Sequence, residues 1–340
     1  MIGRMLKLLP VLALVWLALA CRSEEPQQAA TPGETPVQLT KLTLRLNWTP
    51  YAADHAFFYH GLAQGIYRKH GIDLSIEPGN GSANVLKLVA AGSDPIALVD
   101  VSTMARGIAE GMDVKAVMVL SQTSPMAVIY KKDTPIRTAA DLRGKKIALT
   151  QGDALSQVFP AVLAANGLSE RDVQIVSVAS PAAKETAVLQ GQADALLGWY
   201  TEQAPRMEFQ SKIPMGWLKF ADLGVNTMNM AVVVNNRWLQ QNRDLAARFV
   251  KATQEAIESA VANPQAAADS FVRYVPDFDR GLALKEIQET IPLLRTPNSQ
   301  GRPWGWTAEA DWRSTLELLA RFGGVQVKDL QTYYTNEFTQ

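Results

Sequence analysis

A chain of 340 residues, 47% of them hydrophobic, is long enough for two domains of ordinary size with substantial cores. Lys+Arg and Asp+Glu stand at 33 each and no basic run lies beyond the extreme N-terminus, which argues against nucleic acid as a partner. The one cysteine, Cys21, is an unpaired thiol.

The chain opens with Arg4 and Lys7, then an apolar stretch from Leu8 to Ala20, then Cys21. This order predicts a secretory signal over residues 1–20, too short for a comfortable membrane span of about 20 apolar residues. Ala18-Leu19-Ala20 suits an ordinary signal peptidase. A cysteine at the next position suits a bacterial lipoprotein, its thiol diacylated as an anchor, and a lone thiol in an oxidising compartment favours that route. Residues 21–40, rich in Pro, Gln, Ala and Thr, predict a flexible tether.

The folded body is expected to begin with a strand over 42–46, where Leu42, Leu44 and Leu46 alternate with polar residues. Asn47 to Pro50 break it, since proline offers no donor to a ladder. The strand is then expected to empty into a loop holding Trp48, Tyr51, Asp54, His55, Phe57, Phe58 and Tyr59, where aromatic faces beside a carboxylate suit a flat, nitrogen-bearing ligand. His60 and His70 read as surface residues. Further strands are predicted at 74–77, 96–99, 114–120, 126–130, 146–150, 174–178, 195–198 and 230–235. Helices are predicted at 83–91, 103–110, 139–142, 155–166, 181–190 and 243–262, with Ser82 and Ser102 as N-caps and Gly167 as a C-cap. The alternation argues for an α/β architecture with mostly parallel sheets. Two segments echo each other, VLKLVAAGSDPIALVD and ETAVLQGQADALLGWY, each an amphipathic helix, a Gly turn, an acidic residue and a strand. Two similar lobes follow. Beyond Asn235 the chain is expected to be helical to its end, with Trp304, Trp306 and Trp312 packing on a lobe.

Ligands of open α/β sheets lie outside the carboxyl ends of the strands. Here those ends are 47–59, 78–84, 99–104, 151–156 and 198–202. They contain two glycine-bearing turns that run into helices, Gly79-Asn80-Gly81-Ser82 and Gln151-Gly152-Asp153, whose free backbone N–H groups favour an electron-rich ligand group. Neither turn is a P-loop. Charge in the five loops is one-sided: they hold Asp54, Asp100, Asp153 and Glu202 and no Lys or Arg. Carboxylates accept from amino groups and ring N–H donors, so an aminopyrimidine or similar heteroaromatic is the expected solute. The candidate ligand-binding residues are Asn47, Trp48, Tyr51, Asp54, His55, Phe58, Tyr59, Asn80, Ser82, Asp100, Ser102, Gln151, Asp153, Ser156, Trp199, Tyr200 and Glu202. The acids also stand where helix caps belong, and the phenylalanines also suit a core. No HExxH, CxxC, GxSxG or carboxylate–His metal spacing is present, so no metal and no catalytic residue is expected.

Five stretches in order resemble the NMT1/THI5-like (SsuA/THI5-like) family: the strand with N-W-x-P and its following His and aromatics, the G-I-Y-R-K-H-G-I-D-L segment, AADLRGKKIALTQGDALSQ, QGQADALLGWYTEQA and the terminal TYYTNEF. The resemblance implies the two-lobed periplasmic-binding-protein type II fold, with lobe I at 41–127 plus 228–340, lobe II at 128–227 and the ligand between them. It also places His55 near the ligand and makes Trp199 and Tyr200 the second-lobe aromatics that close over a flat solute. The family further contains a thiamine-pyrimidine synthase that uses a Lys for pyridoxal phosphate, a His and a CCCFC motif for iron. Here Val99, Thr103 and Asn226–Met230 (NTMNM) stand at those positions, so no cofactor and no enzymatic activity are expected. The expected protein is a monomeric extracytoplasmic receptor of an ABC importer, working with permease and ATPase subunits and held to the membrane through Cys21. Its expected solute is a thiamine-pyrimidine precursor of the formylaminopyrimidine kind, with riboflavin, an aromatic acid, a sulfonate or nitrate as alternatives.

Overall fold

The computed structural model describes residues 39–151 and 153–340. The expected signal, Cys21 and nearly all of the expected tether lie outside the described residues, as does Gly152. No helix among the described residues is long and apolar enough to cross a membrane.

Strands and helices alternate through the first two thirds of the body. In order they are β1 (Thr40–Arg45), α1 (Ala56–Ala63), α2 (Ile66–Lys69), β2 (Ile72–Glu77), α3 (Ser82–Ala90), β3 (Ile96–Asp100), α4 (Val101–Ala109), β4 (Val114–Val119) and β5 (Met126–Lys131). There follow β6 (Lys146–Leu149), α5 (Ala154–Ala165), β7 (Gln174–Ser177), α6 (Pro181–Leu189), β8 (Ala195–Trp199), α7 (Gln203–Ser211), β9 (Met215–Lys219) and β10 (Met230–Asn235). The rest is helical: α8 (Asn236–Gln241), α9 (Arg243–Ala262), α10 (Pro264–Tyr274), α11 (Arg280–Thr290) and α12 (Glu309–Gly323). Strand β9 went unpredicted, because the half-exposed MGWLK lacks a run of β-branched residues.

Two five-stranded sheets result, in the orders β2-β1-β3-β10-β4 and β7-β6-β8-β5-β9. Both are mixed rather than uniformly parallel. In the first, β10 runs antiparallel to β3 and β4 while β1 pairs in parallel with β2 and β3. In the second, β5 runs antiparallel to β8 and β9 while β6 pairs in parallel with β7 and β8. The reversed strand in each sheet is the one entered directly from the other sheet, across residues 120–125 into β5 and residues 220–229 into β10.

The aromatic segment after β1 corrects the loop expectation. Residues Ala56–Ala63 form a helix, and Phe57, Phe58 and Tyr59 are core. The run AFFYHG is buried on every side, so it carries no 3.6-residue alternation by which a sequence shows a helix. Phe58 stacks on Phe249 at 6.5 Å, and Tyr59 meets Phe271 edge-on at 5.5 Å. Helix α1 lies so close to α9 that a Cβ on Gly61 would sit 2.7 Å from the Ala256 Cβ. His60, expected at the surface, is buried between Ser270 Oγ (3.0 Å) and Ser259 Oγ (2.9 Å), while His70 pairs with Glu255 at 2.9 Å. On the other face of the first sheet, α12 buries Trp312, which stacks on Tyr334 at 4.9 Å. Trp304 lies beneath the Arg295 guanidinium and Trp306 beneath that of Arg302.

Phe249, fully buried between Phe58 and Tyr67, is the centre of the α1–α9 packing. Truncation to alanine should cost about 3–5 kcal/mol in urea denaturation, as buried Phe→Ala changes do. Trp48→Ala, at a side chain 51% exposed, should stay within about 0.5 kcal/mol.

Candidate functional site

The segment between β1 and α1 folds back on itself through its polar side chains. His55 Nδ1 accepts from the Tyr51 backbone N–H at 3.3 Å, so the ring proton sits on Nε2 and is donated to Asn47 Oδ1 at 2.7 Å. Burial pushes the His55 pKa down to about 3, which keeps the imidazole neutral. The Tyr51 ring lies 3.8 Å from the His55 ring. Asn47 and His55 are thus a buried brace that shapes the turn carrying Tyr51. The neighbouring glycine turn closes on the same segment. The Gly81 N–H donates to Asn47 O at 2.7 Å and the Gly79 N–H to Trp48 O at 3.1 Å. A Cβ on Gly79 would fall 2.0 Å from Leu46 O, so only glycine permits the approach. Trp48 lies over this turn, half exposed.

Three carboxylates from distant parts of the chain gather beside Tyr51. Asp54 is buried and accepts from Ser121 Oγ at the end of β4. Burial raises it to about 6, against the lowering effect of that bond. Glu202, just after β8, is pushed up to about 8 by burial and by the charge of Asp54. Glu286 on α11 accepts from the Ala52 N–H at 3.0 Å and is pushed up to about 8 by burial and by the charge of Glu202. The Tyr51 phenol is raised well above its usual value by burial, then by Glu202 and Asp54. Tyr51, Asp54, Glu202 and Glu286 form one electrostatic cluster. Glu286 escaped the sequence reading because it lies on a helix rather than at a strand end. Its signal was there: Ala283, Glu286, Ile287 and Thr290 are all buried, which puts a carboxylate on the apolar face of α11.

The other strand ends of the first sheet are polar too. Asp100 caps α4 with Oδ1, accepting from the Thr103 N–H at 2.8 Å and Thr103 Oγ1 at 3.1 Å. Its Oδ2 is buried without a partner, as are Ser102 Oγ, Asn229 Oδ1 and Gln122 Oε1. Ser82 Oγ accepts from the Asp100 N–H at 3.1 Å, while Asn80 is exposed. Asn229, which precedes β10, was not foreseen.

At the second sheet Asp153 caps α5, accepting from the Ser156 N–H at 2.7 Å, and Ser156 Oγ donates to Asp153 O at 2.9 Å. The other Asp153 oxygen meets Lys184 Nζ at 3.4 Å, and the buried Lys184 also donates to Leu197 O at 2.7 Å. Arg206, held 2.6 Å from Glu185, acts electrostatically on both Glu202 and Glu286. The one-sided charge expected from the loops is therefore corrected by cations arriving from α6 and α7. Gln151 is exposed. Trp199 and Tyr200 do not form a pair. Tyr200 is core, stacked on Trp217 at 5.5 Å with Lys219 Nζ over its ring, and Trp199 packs against the opposite core. Trp199 is the last residue of β8 and Tyr200 opens the turn beyond it, where its N–H donates to Pro125 O at 3.0 Å. Phe58 and Tyr59 likewise lie in the core and not with the carboxylates. An open groove of about 650 Å³ between α12 and residues 327–331 touches none of these residues.

The family described as NMT1/THI5 like matches residues 52–267. This chain belongs to that family. A riboflavin-binding protein, RibY of Chloroflexus aurantiacus, is 26% identical over 96% of this chain and 95% of its own. The 4-amino-5-hydroxymethyl-2-methylpyrimidine phosphate synthase THI5 of Saccharomyces cerevisiae is 24% identical over 88% of this chain and 87% of its own. Among solved structures, the periplasmic aliphatic sulphonate binding protein SsuA of Escherichia coli superposes with a TM-score of 0.67 at 16% identity, covering 86% of this chain and 91% of that one. The NMT1/THI5-like chain thus has the periplasmic-binding-protein type II fold.

Burial of the two glutamates makes stability depend on pH with a definite sign. The folded protein holds the protons of Glu202 and Glu286 up to about pH 8, whereas their ordinary value is 4.5. Between those values the folded state binds more protons than the unfolded chain, so stability falls as pH rises. His55 works the other way, but only between about 3 and 6.5. Melting temperature should therefore drop from pH 6.5 to pH 8, and Glu286→Gln should flatten that slope and raise the melting point at pH 8. An unchanged slope in thermal denaturation across this window would remove Glu286 from the cluster.

Proposed function

We propose that this protein is the extracytoplasmic solute-binding component of an ABC importer, and that it captures a small flat heteroaromatic solute bearing amino or ring N–H donors. A thiamine-pyrimidine precursor of the formylaminopyrimidine kind is the best single match. The observation that carries the reading is the convergence of Asp54, Glu202 and Glu286 beside Tyr51, from the end of the first sheet, the end of the second and helix α11. A glutamic acid raised to about 8 is protonated at neutral pH, so it offers an O–H donor and a C=O acceptor side by side. An aminopyrimidine presents the complementary pair, a ring nitrogen beside an amino N–H. Trp48, exposed above the glycine turn, supplies an aromatic face at the rim.

In this reading the two sheets belong to two lobes, residues 41–127 with 228–340 and residues 128–227. They close on the solute by bending at the crossings 120–125 and 220–229. Residues 1–20 serve as the export signal, Cys21 carries the lipid anchor, residues 21–40 are the tether, and the monomer delivers its solute to a permease driven by an ATPase. Riboflavin is the second reading, favoured by the relative that covers 96% of the chain. The synthase reading is weakened because Val99, buried in β3, stands where that enzyme family has its Schiff-base lysine.

Isothermal titration of the purified protein against aminopyrimidines, riboflavin, alkanesulfonates and nitrate tests the proposal. Binding of an aminopyrimidine or riboflavin at micromolar affinity or better, about −8 kcal/mol, is expected. Asp54→Asn should weaken it about tenfold or more, as the loss of a charged hydrogen-bond partner does, and so should Glu202→Ala, which removes the O–H donor and the C=O acceptor together. Preference for a sulfonate or nitrate would reject the solute class, and no binding at all would reject the receptor.

A further inference from the structure

Buried polar atoms without partners are rare in folded proteins, because each forfeits the hydrogen bonds it had in water. Here three lie side by side. Asp100 ends β3, Ser102 opens α4, and Asn229 immediately precedes β10, the strand next to β3. Asn229 is fixed there by its backbone alone: its carbonyl accepts from the Val101 N–H at 2.6 Å and its N–H donates to Ser121 O at 2.9 Å. Residues Asp100, Ser102 and Asn229 are 7%, 5% and 2% exposed, yet Asp100 Oδ2, Ser102 Oγ and Asn229 Oδ1 have no hydrogen-bond partner. On the far side of Asn229 stands Ser121, whose hydroxyl holds Asp54. The unpartnered atoms therefore continue the row of polar groups that starts at the carboxylate cluster, one to two strand spacings along the sheet edge, about 5–10 Å.

We propose that Asp100, Ser102 and Asn229 form a second subsite that takes a hydrogen-bond-donating substituent, a hydroxyl or amino group, on the solute whose ring lies against Asp54. The inference rests on the solute-binding reading and extends it: the solute carries a polar arm as well as a ring. Two carbonyl-type acceptors beside a hydroxyl match an O–H or N–H donor, and the Asp100 carboxylate disfavours an anionic group. Asp100 also caps α4, so its loss would disturb the fold. Ser102 and Asn229 make no side-chain bond that the fold relies on, and they isolate the effect.

The test compares two pairs of probes by titration calorimetry: 4-amino-5-hydroxymethyl-2-methylpyrimidine with its 5-methyl analogue, and riboflavin with lumiflavin, which has a methyl group in place of the ribityl chain. Wild-type protein should prefer the arm-bearing member of the pair it binds by about tenfold or more. Ser102→Ala and Asn229→Ala should each abolish that preference while leaving affinity for the arm-less member unchanged. Their melting temperatures should equal or exceed that of the wild type, since a buried unpartnered group has been removed. A preference retained in both variants overturns the subsite, and so does a melting temperature several degrees lower, which marks the side chains as structural. If the wild type binds neither ring system, the solute-binding reading itself falls and takes the subsite with it.

Discussion

Six residues, 120–125, separate β4 of one sheet from β5 of the other, and ten, 220–229, lead back from β9 to β10. Neither crossing contains a helix, and each carries the chain from one sheet to the other. In each sheet the incoming strand runs reversed, starting at the edge where the parallel strands end. That constraint collects the C-terminal ends of β1, β3 and β4 and the N-terminal end of β10 along one edge of the first sheet. Asn47, Asp100, Ser121 and Asn229 are neighbours for this reason and not through sequence proximity. The hydrogen bonds of Asn229 to both Val101 and Ser121 are the direct expression of the arrangement.

Collecting polar ends has an electrostatic consequence. Asp54, Glu202 and Glu286 cannot all ionise cheaply in one buried place with Arg206 as the nearby cation, and Arg206 is already engaged by Glu185. Protonation relieves the repulsion, which is why the two glutamates rise to about 8 while Asp54, eased by the Ser121 hydroxyl, rises only to about 6. A different solution appears at the second sheet. There Lys184 is buried against Asp153 and Leu197 O, and the pair neutralises itself. The same sheet-edge geometry thus produces one site held as a neutralised ion pair and another held by protons.

Strand positions were legible because the strands are short runs of β-branched and aliphatic residues, and MAVVVN in β10 is buried at five of its six positions. Strand ends then located Asp54, Asp100 and Glu202, which follow β1, β3 and β8. What failed was side-chain direction. Trp199 and Tyr200 are adjacent in sequence, yet the turn that starts at Tyr200 sends them against different cores. Phe58 and Tyr59 were placed in a loop because a helix buried all round has no amphipathic period. Glu286 and Asn229 lay outside the reading for a third reason. Each is recruited by tertiary contact, one from a C-terminal helix and the other from the return crossing, and neither element is defined until both sheets exist.

The charge of the cluster bears on which solute the proposed receptor would take, because the neighbour whose fold it shares binds aliphatic sulphonates. At an effective dielectric near 20, a unit negative charge about 5 Å from an ionised carboxylate is repelled by about 3 kcal/mol, roughly a hundredfold in affinity. A sulfonate beside Tyr51 would meet Asp54 and two further carboxyl groups, with Arg206 already paired to Glu185. Protonation of the glutamates lessens the repulsion but fills the site with O–H donors that a neutral ring nitrogen satisfies as well, without bringing charge beside Asp54. Under the proposed function, fold likeness and solute chemistry diverge, and the divergence follows from the carboxyl groups gathered beside Tyr51.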